Sequence, residues 1–186
     1  MVAPERSPLT GEVEIDEFWL GGYEEGLKGS RQHGKKALVG AAIEVRGAGS
    51  GRLLRLAVLA NSRAKTLEAF TKATTAPGAI VHTDGLSSYA GLAKLGYHHH
   101  PRKQIGAAPE DELLPRAHRA ISNLKAWMHG THRGVSKEHL PVYLDEFVFR
   151  HNRRGTPMAA FQTLLGLGAI HDPTTYGEIT ALRHAA

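Results

Sequence analysis

The sequence feature that most restricts the fold is ALVGAAIEV, a nearly continuous apolar run from Ala37 to Val45. It predicts a strand that is buried within a sheet. The preceding segment GEVEIDEFWL, from Gly11 to Leu20, alternates in polarity and predicts the first strand. Turn residues at Arg46–Gly51 lead to an apolar segment at Leu53–Leu59, so we expect the second and third strands to form a hairpin.

Helices and strands alternate after this hairpin. We expect a helix capped by Asn61 or Ser62 and ending near Thr75, a strand from Ala79 to Asp84, a short helix from Ser87 or Ser88 to Gly96, and a possible fifth strand from Tyr97 to Ile105.

The last part of the chain is mainly helical in pattern. The expected segments are a loop or lid at Gly106–Pro115, a helix from about Arg116 to His129, a loop of sequence GTHRGVS, a helix from Lys137 to Arg153 and a short helix over Pro157–Leu167. The whole order of elements predicts one mixed α/β domain.

The composition excludes several classes of protein. The chain has 186 residues and no cysteine, which excludes disulfide scaffolds, cysteine-ligated zinc and thiol nucleophiles. No apolar run is long enough to span a bilayer, so we expect a cytoplasmic protein without a membrane partner. A net charge of +5 weakly favours a polyanionic partner. Tyr97 to Arg154 holds eight of the twelve histidines and ten lysines and arginines against six acidic residues, so this half is the more basic one.

Two aspartates are candidates for chemistry because of their positions. Asp16 lies within the first strand, and Asp84 lies at the carboxyl end of a later strand, where α/β sheets form their ligand crevice. If these strands are neighbours, the two carboxylates repel each other and need a cation, and hard oxygen ligands favour Mg²⁺ or Mn²⁺. The alternative is that Asp16 faces solvent and Asp84 only caps the following helix.

Several longer motifs carry a resemblance to a known family. They are GEVEIDEFWLGG, KKALVGAAIEV, HTDGLSSY, GYHHH and HRAISNLKAWMHGTHRGVSKEHLPVYLDEFVFRHNRR. Together they resemble the transposases of bacterial insertion sequences, and most closely the group that contains the ISXO2-like transposase domain. The resemblance covers about Gly11 to Arg154, which is most of the chain.

The resemblance implies an α/β, RNase H-like fold. Its sheet is mixed and five-stranded, with three antiparallel strands and then parallel strands, flanked by helices and followed by C-terminal helices. Residues 1–10 would form a short N-terminal extension, 11–154 the catalytic core and 155–186 a helical tail.

The resemblance also implies a DDE-type acidic triad, two Mg²⁺ (or Mn²⁺) ions, and DNA strand cleavage and joining. The implied partners are transposon ends, target DNA and further copies of the chain. Asp16 and Asp84 match the first two acids.

The third position of the triad departs from the acidic rule. Related sequences place Glu, Asn or His on the last core helix, seven residues before a lysine, and this spacing puts both side chains on one helix face. With Lys125 as the lysine, the third residue is His118, which as a metal ligand prefers ions softer than Mg²⁺. Three alternatives stay open: His118 only lines the helix, Asn123 takes the role, or the acidic run Glu110–Glu112 supplies the ligand.

Basic residues of the second half are candidates for DNA contacts. The loop GTHRGVS is expected to bind phosphates, and Lys125 would contact the backbone near the scissile phosphate. The run RHNRR closes a helix, where the helix dipole alone would also favour cations. The candidates are Lys125, His132, Arg133, Lys137, Arg150, Arg153 and Arg154.

Three functions are compatible with these motifs. The first is an active transposase core that cleaves and transfers DNA strands. The second is a truncated, catalytically inactive DNA-binding remnant, because related transposases usually carry an end-recognition region before this core and only about ten residues precede the first strand here. The third is a general RNase H-like nuclease, which would share the metal ions but not strand transfer. We expect the protein to be nucleoid-associated when it is bound to DNA.

Overall fold

A mixed five-stranded sheet forms the centre of the protein, for which a computed structural model describes residues 7–21, 36–47, 50–102, 113–132 and 135–170. The strands are β1 (Glu12–Leu20), β2 (Ala37–Arg46), β3 (Ser50–Leu59), β4 (Ile80–Thr83) and β5 (His98–Pro101). Their order across the sheet is β3-β2-β1-β4-β5. The pairs β1–β2 and β2–β3 are antiparallel, whereas β1–β4 and β4–β5 are parallel.

Helices cover both faces of this sheet. Helix α1 (Ala64–Thr74) covers one face, α2 (Pro115–Trp127) and α3 (Leu140–Asn152) cover the other, and α4 (Pro157–Ile170) follows α3 along the chain. A π-helical turn, Met128–His132, continues α2, and two 3₁₀ turns, Ser87–Tyr89 and Leu92–Leu95, lie between β4 and β5.

The alternation of β1 divides the core into two layers. Val13 and Ile15 point to one face and pack in a cluster with Leu67 of α1. Phe18 and Leu20 point to the other face, where α2 and α3 cover them. Since both layers meet β2, this strand is buried over nearly its whole length, which explains its continuous apolar sequence.

The predicted fold class is confirmed. The sheet has three antiparallel strands followed by two parallel strands and is flanked by helices, which is the architecture of an RNase H-like fold. The predicted short helix after Asp84 is instead the two 3₁₀ turns. The fifth strand is shorter than expected within the described residues, and residues 103–112, which include most of the proposed lid, lie outside them.

The predicted end of α2 is wrong. The sequence predicts that Gly130 stops the helix and opens a loop, but the chain continues as the π-helical turn through His132. Packing explains the difference: the His132 ring lies 4.5 Å from the ring of Trp127 and 4.6 Å from that of Tyr143. These contacts hold the turn in place although glycine lowers its helix propensity.

Two predicted helix starts are also wrong. The helix expected from Lys137 begins at Leu140, with a proline in its first turn, where its missing N–H is tolerated. The N-cap of α1 is Arg63 and makes no side-chain cap bond. Asn61 stabilises the segment in another way, because its Oδ1 accepts the Arg63 N–H at 3.0 Å and the Thr66 hydroxyl at 2.9 Å.

Helix α4 exposes large apolar side chains, namely those of Met158, Phe161, Leu164 and Leu165. Within the described part of the chain, no helix combines the length and the apolar character needed to cross a membrane.

Candidate active site

The pairing between β1 and β4 ends early and leaves a gap at the carboxyl end of β4. The last paired residues are Glu14 and His82, whereas β1 continues to Leu20. Asp16 therefore lies on the part of β1 that has no β4 partner, and Asp84 follows the last residue of β4. The topology thus brings both aspartates to the same opening of the sheet.

Asp84 lies at a sharp turn. Gly85 has a φ of +84°, a left-handed conformation that favours glycine, so the chain turns away directly after the aspartate. The exposed Asp84 side chain accepts the N–H of Leu86 with Oδ1 at 2.9 Å. This bond agrees with the capping alternative, and it still leaves the second carboxylate oxygen available to a ligand.

Asp16 is shielded from solvent, which excludes the alternative that it simply faces water. Its side chain is 15% exposed, and its pKa is raised from 3.8 to about 6, mainly because burial disfavours the charged form. The negative charge of Asp84 also raises this pKa, while His118, the Glu17 N–H and Lys125 lower it. The two aspartates are therefore close enough to repel each other.

Helix α2 presents His118 and Lys125 to β1, as their seven-residue spacing predicts. The Nε2 atom of His118 lies 3.5 Å from Oδ2 of Asp16. Lys125 Nζ lies 5.3 Å from the centre of the Phe18 ring, two residues further along the same strand face. Asn123 is exposed, and the acidic run Glu110–Glu112 lies outside the described residues. The metal-binding role of His118 stays a prediction.

Glu14 connects β1 to the start of α2, a role that the sequence analysis missed. Its side chain is completely buried, and its Oε2 accepts the N–H groups of Arg116 at 2.8 Å and Ala117 at 2.9 Å. Its Oε1 lies 3.6 Å from the Arg116 guanidinium. Glu14 lies two residues before Asp16 on β1. Its carboxylate thus takes the place of an N-cap residue for α2 and fixes the helix that carries His118. The sequence signal for such a role is a glutamate within a strand segment that the fold buries.

Glu17 and Tyr89 form a second contact that the sequence analysis missed. The Tyr89 hydroxyl donates to Oε2 of Glu17 at 2.5 Å, and the tyrosine is completely buried. Burial raises the pKa of Glu17, the Tyr89 bond lowers it, and the charges of Asp84 and Asp16 raise it further. Burial and the Glu17 charge likewise raise the pKa of Tyr89. A third carboxylate therefore adjoins the two aspartates.

The site fits a divalent cation in part. Two mutually repelling carboxylates, one of them with a raised pKa, are a donor set that a hard cation would stabilise. Yet among the residues that the structure describes, no three Asp, Glu or His side chains are arranged so that they could hold one metal ion together. The predicted set of Asp16, Asp84 and His118 is thus in the same region of the fold without forming a complete coordination sphere.

The remaining basic candidates lie apart from the aspartates or already have local contacts. Arg150 pairs with Glu146 at 2.8 Å, the guanidinium of Arg153 lies 4.3 Å from the centre of the Phe149 ring, and Arg154 donates to the His151 carbonyl at 2.7 Å. The bond from Arg154 to the His151 carbonyl supports the alternative that the cations of the RHNRR run stabilise the end of the helix. All three lie near the C-terminus of α3, which contacts the edge strand β3 through Asn152.

Three candidates for DNA contacts remain, in the π-helical turn and in the segment that follows it. His132 lies in that turn with its ring between Trp127 and Tyr143, so its observed contacts are packing contacts and not those of a loop residue that reaches for phosphate. Lys137 is exposed, and Arg133 lies outside the described residues.

A family model described as the ISXO2-like transposase domain matches residues 8–152, which is more than three quarters of the chain. A search of the curated proteins found no match.

Proposed function

The chain belongs to the ISXO2-like transposase domain family, and we propose that it is the catalytic domain of a transposase, which cleaves DNA strands and joins them to target DNA during transposition of an insertion sequence. The observation that carries the proposal is the convergence of Asp16, Asp84, His118 and Lys125 at one opening of the sheet. Carboxylates at the carboxyl end of parallel strands, next to a lysine, suit metal-dependent phosphodiester chemistry.

Each of these side chains has a proposed role. Asp16 and Asp84 bind two Mg²⁺ or Mn²⁺ ions, which when bound activate a water or a DNA 3′-hydroxyl and stabilise the leaving oxygen. Lys125 contacts the phosphate backbone beside the scissile bond. His118, whose Nε2 lies 3.5 Å from Oδ2 of Asp16, is the proposed third member of the triad and would supply a nitrogen ligand to the ions.

The proposal extends to the partners and location of the protein. Transposon ends and target DNA are the substrates, and the chain acts as a homo-oligomer on DNA, in the cytoplasm and at the nucleoid. Phosphate contacts come from Lys125, Arg133 and Lys137, while His132, Arg150, Arg153 and Arg154 contribute where they can leave their local contacts. Residues 11–154 form the catalytic core, and helix α4 follows it along the chain.

The test is a strand-cleavage and strand-transfer assay on DNA that carries the terminal repeats of the element, with Mg²⁺ or Mn²⁺. We expect Asp84→Asn to abolish both reactions without loss of folding, because one ligand of the ions is removed. Asp145→Asn on α3 is the matched control and should retain activity. DNA binding without cleavage by the wild type would instead support the inactive remnant. Cleavage without joining would support a general nuclease.

A further inference from the structure

The β1–β4 ladder does not reach the two aspartates. Its last rung joins Glu14 to His82, so the main-chain pairing of these strands does not fix the position of Asp84 relative to Asp16. The turn after Asp84 must be held against β1 by other contacts. The hydrogen bond from Tyr89 to Glu17 crosses between these two segments beyond the end of the ladder.

Tyr89 is well suited to hold this turn. It ends the 3₁₀ turn Ser87–Tyr89, and its ring is completely buried in the layer that contains Leu67 and Leu92. A ring packed in this way has one rotamer available, so its hydroxyl presents a fixed point to Glu17. Glu17 is the residue next to Asp16 on β1.

We propose that the Tyr89–Glu17 hydrogen bond is a positioning contact that sets the separation of the Asp16 and Asp84 carboxylates and thereby the affinity of the site for divalent cations. The inference rests on the proposed function, because it assumes that these two aspartates bind the ions. Glu17 acts on the site through Tyr89 and not as a ligand. Removing the hydroxyl leaves the ring packed but releases the Asp84 turn from β1.

The experiment measures Mn²⁺ binding to the metal-free protein by electron paramagnetic resonance of the unbound ion, together with the thermal midpoint of each variant. Tyr89→Phe should weaken Mn²⁺ binding about tenfold, the scale of effect that contacts behind metal ligands commonly have. Glu17→Gln should bind nearly as tightly as the wild type, because its amide oxygen can still accept the Tyr89 hydroxyl. Glu17→Ala should resemble Tyr89→Phe.

Tyr97→Phe is the matched control. Tyr97 is also buried, and its hydroxyl donates to the Thr75 carbonyl at 3.1 Å, at the other end of the parallel strands. It should lose a similar amount of thermal stability without a change in Mn²⁺ affinity. Equal Mn²⁺ affinities of Tyr89→Phe and Tyr97→Phe would overturn the proposal.

Two further outcomes separate this inference from the proposed function. If Glu17→Gln loses as much Mn²⁺ affinity as Asp16→Asn, Glu17 is itself a ligand and the positioning role is wrong, while the metal site stands. If Asp16→Asn and Asp84→Asn both bind Mn²⁺ as well as the wild type, the metal site itself is wrong, and the positioning role falls with it.

Discussion

The carboxylate of Glu14 accepts the main-chain N–H of Ala117 with Oε2 at 2.9 Å, so a strand residue caps the helix that faces the candidate active site. The same oxygen also accepts the Arg116 N–H. Because the carboxylate is completely buried, these bonds form away from competing water. The bond therefore links the position of Asp16 on β1 to that of His118 on α2.

The first prediction follows from this bond. Glu14→Ala should lower the free energy of unfolding by about 2–3 kcal/mol, because two buried N–H groups lose a charged acceptor. Glu14→Gln should cost less, since its amide oxygen can still accept. The control is Glu12→Ala, a half-exposed glutamate on the same strand face whose contact with His82 spans 3.5 Å, which should cost under about 1 kcal/mol. Equal losses for the Glu14 and Glu12 alanine variants in urea denaturation would contradict the capping role.

The second prediction concerns Asp16 and pH. Its pKa is raised from 3.8 to about 6, so between these values the folded state binds more protons than the unfolded state. The contribution of Asp16 to stability therefore falls as pH rises from about 4 to about 6, by at most about 3 kcal/mol. In EDTA, Asp16→Asn should be more stable than the wild type at pH 8 and close to it at pH 4.

Urea denaturation at both pH values measures this difference, with Asp145→Asn as the control. A stabilising effect of Asp16→Asn that is the same at pH 4 and pH 8 would show that the charge of Asp16 is not its cause. Saturating Mn²⁺ should reverse the order at pH 8, because the ion stabilises only the protein that retains the carboxylate.

The third prediction concerns DNA binding. Affinity should be mainly electrostatic and should fall steeply with salt, with a log–log slope of about −0.9 for each phosphate neutralised on duplex DNA. Lys125→Ala and Lys137→Ala should each reduce this slope by about 1, because both side chains are exposed. Lys72→Ala, an exposed lysine in the last turn of α1 on the other side of the sheet, should leave the slope unchanged. Tight binding to one short sequence at physiological salt would contradict this prediction.

Much of the fold could be predicted from the sequence because its strands carry strong patterns. The continuous apolar run of β2 and the alternating polarity of β1 each predicted a strand, and the apolar run also predicted that β2 is buried within the sheet. The segment at Met128–His132 could not be predicted in this way. A glycine such as Gly130 commonly ends a helix, and the turn continues because the His132 ring packs against Trp127 and against Tyr143 of the next helix.

The candidate site could be predicted from the sequence in part, where its residues lie within one helix. Helical spacing relates His118 to Lys125 within one element, so the sequence alone predicts that they share a helix face. Glu14 and Tyr89 could not be identified in this way, because their partners lie about a hundred and about seventy residues away along the chain. Contacts of this kind depend on how the elements pack, which local patterns do not specify.

The last prediction concerns His118, whose Nε2 lies 3.5 Å from Asp16. A neutral imidazole is a poorer ligand for Mg²⁺ than a carboxylate is, so His118→Glu should retain or raise strand-transfer activity in Mg²⁺. His118→Ala should lose activity in both Mg²⁺ and Mn²⁺, because no side chain then completes the site. The matched control is Asn123→Ala, an exposed residue on the same helix but on a different face. If Asn123→Ala is inactive while His118→Ala keeps wild-type rates, Asn123 takes the third position. If neither variant changes the rates, the third ligand should be sought in the acidic run Glu110–Glu112.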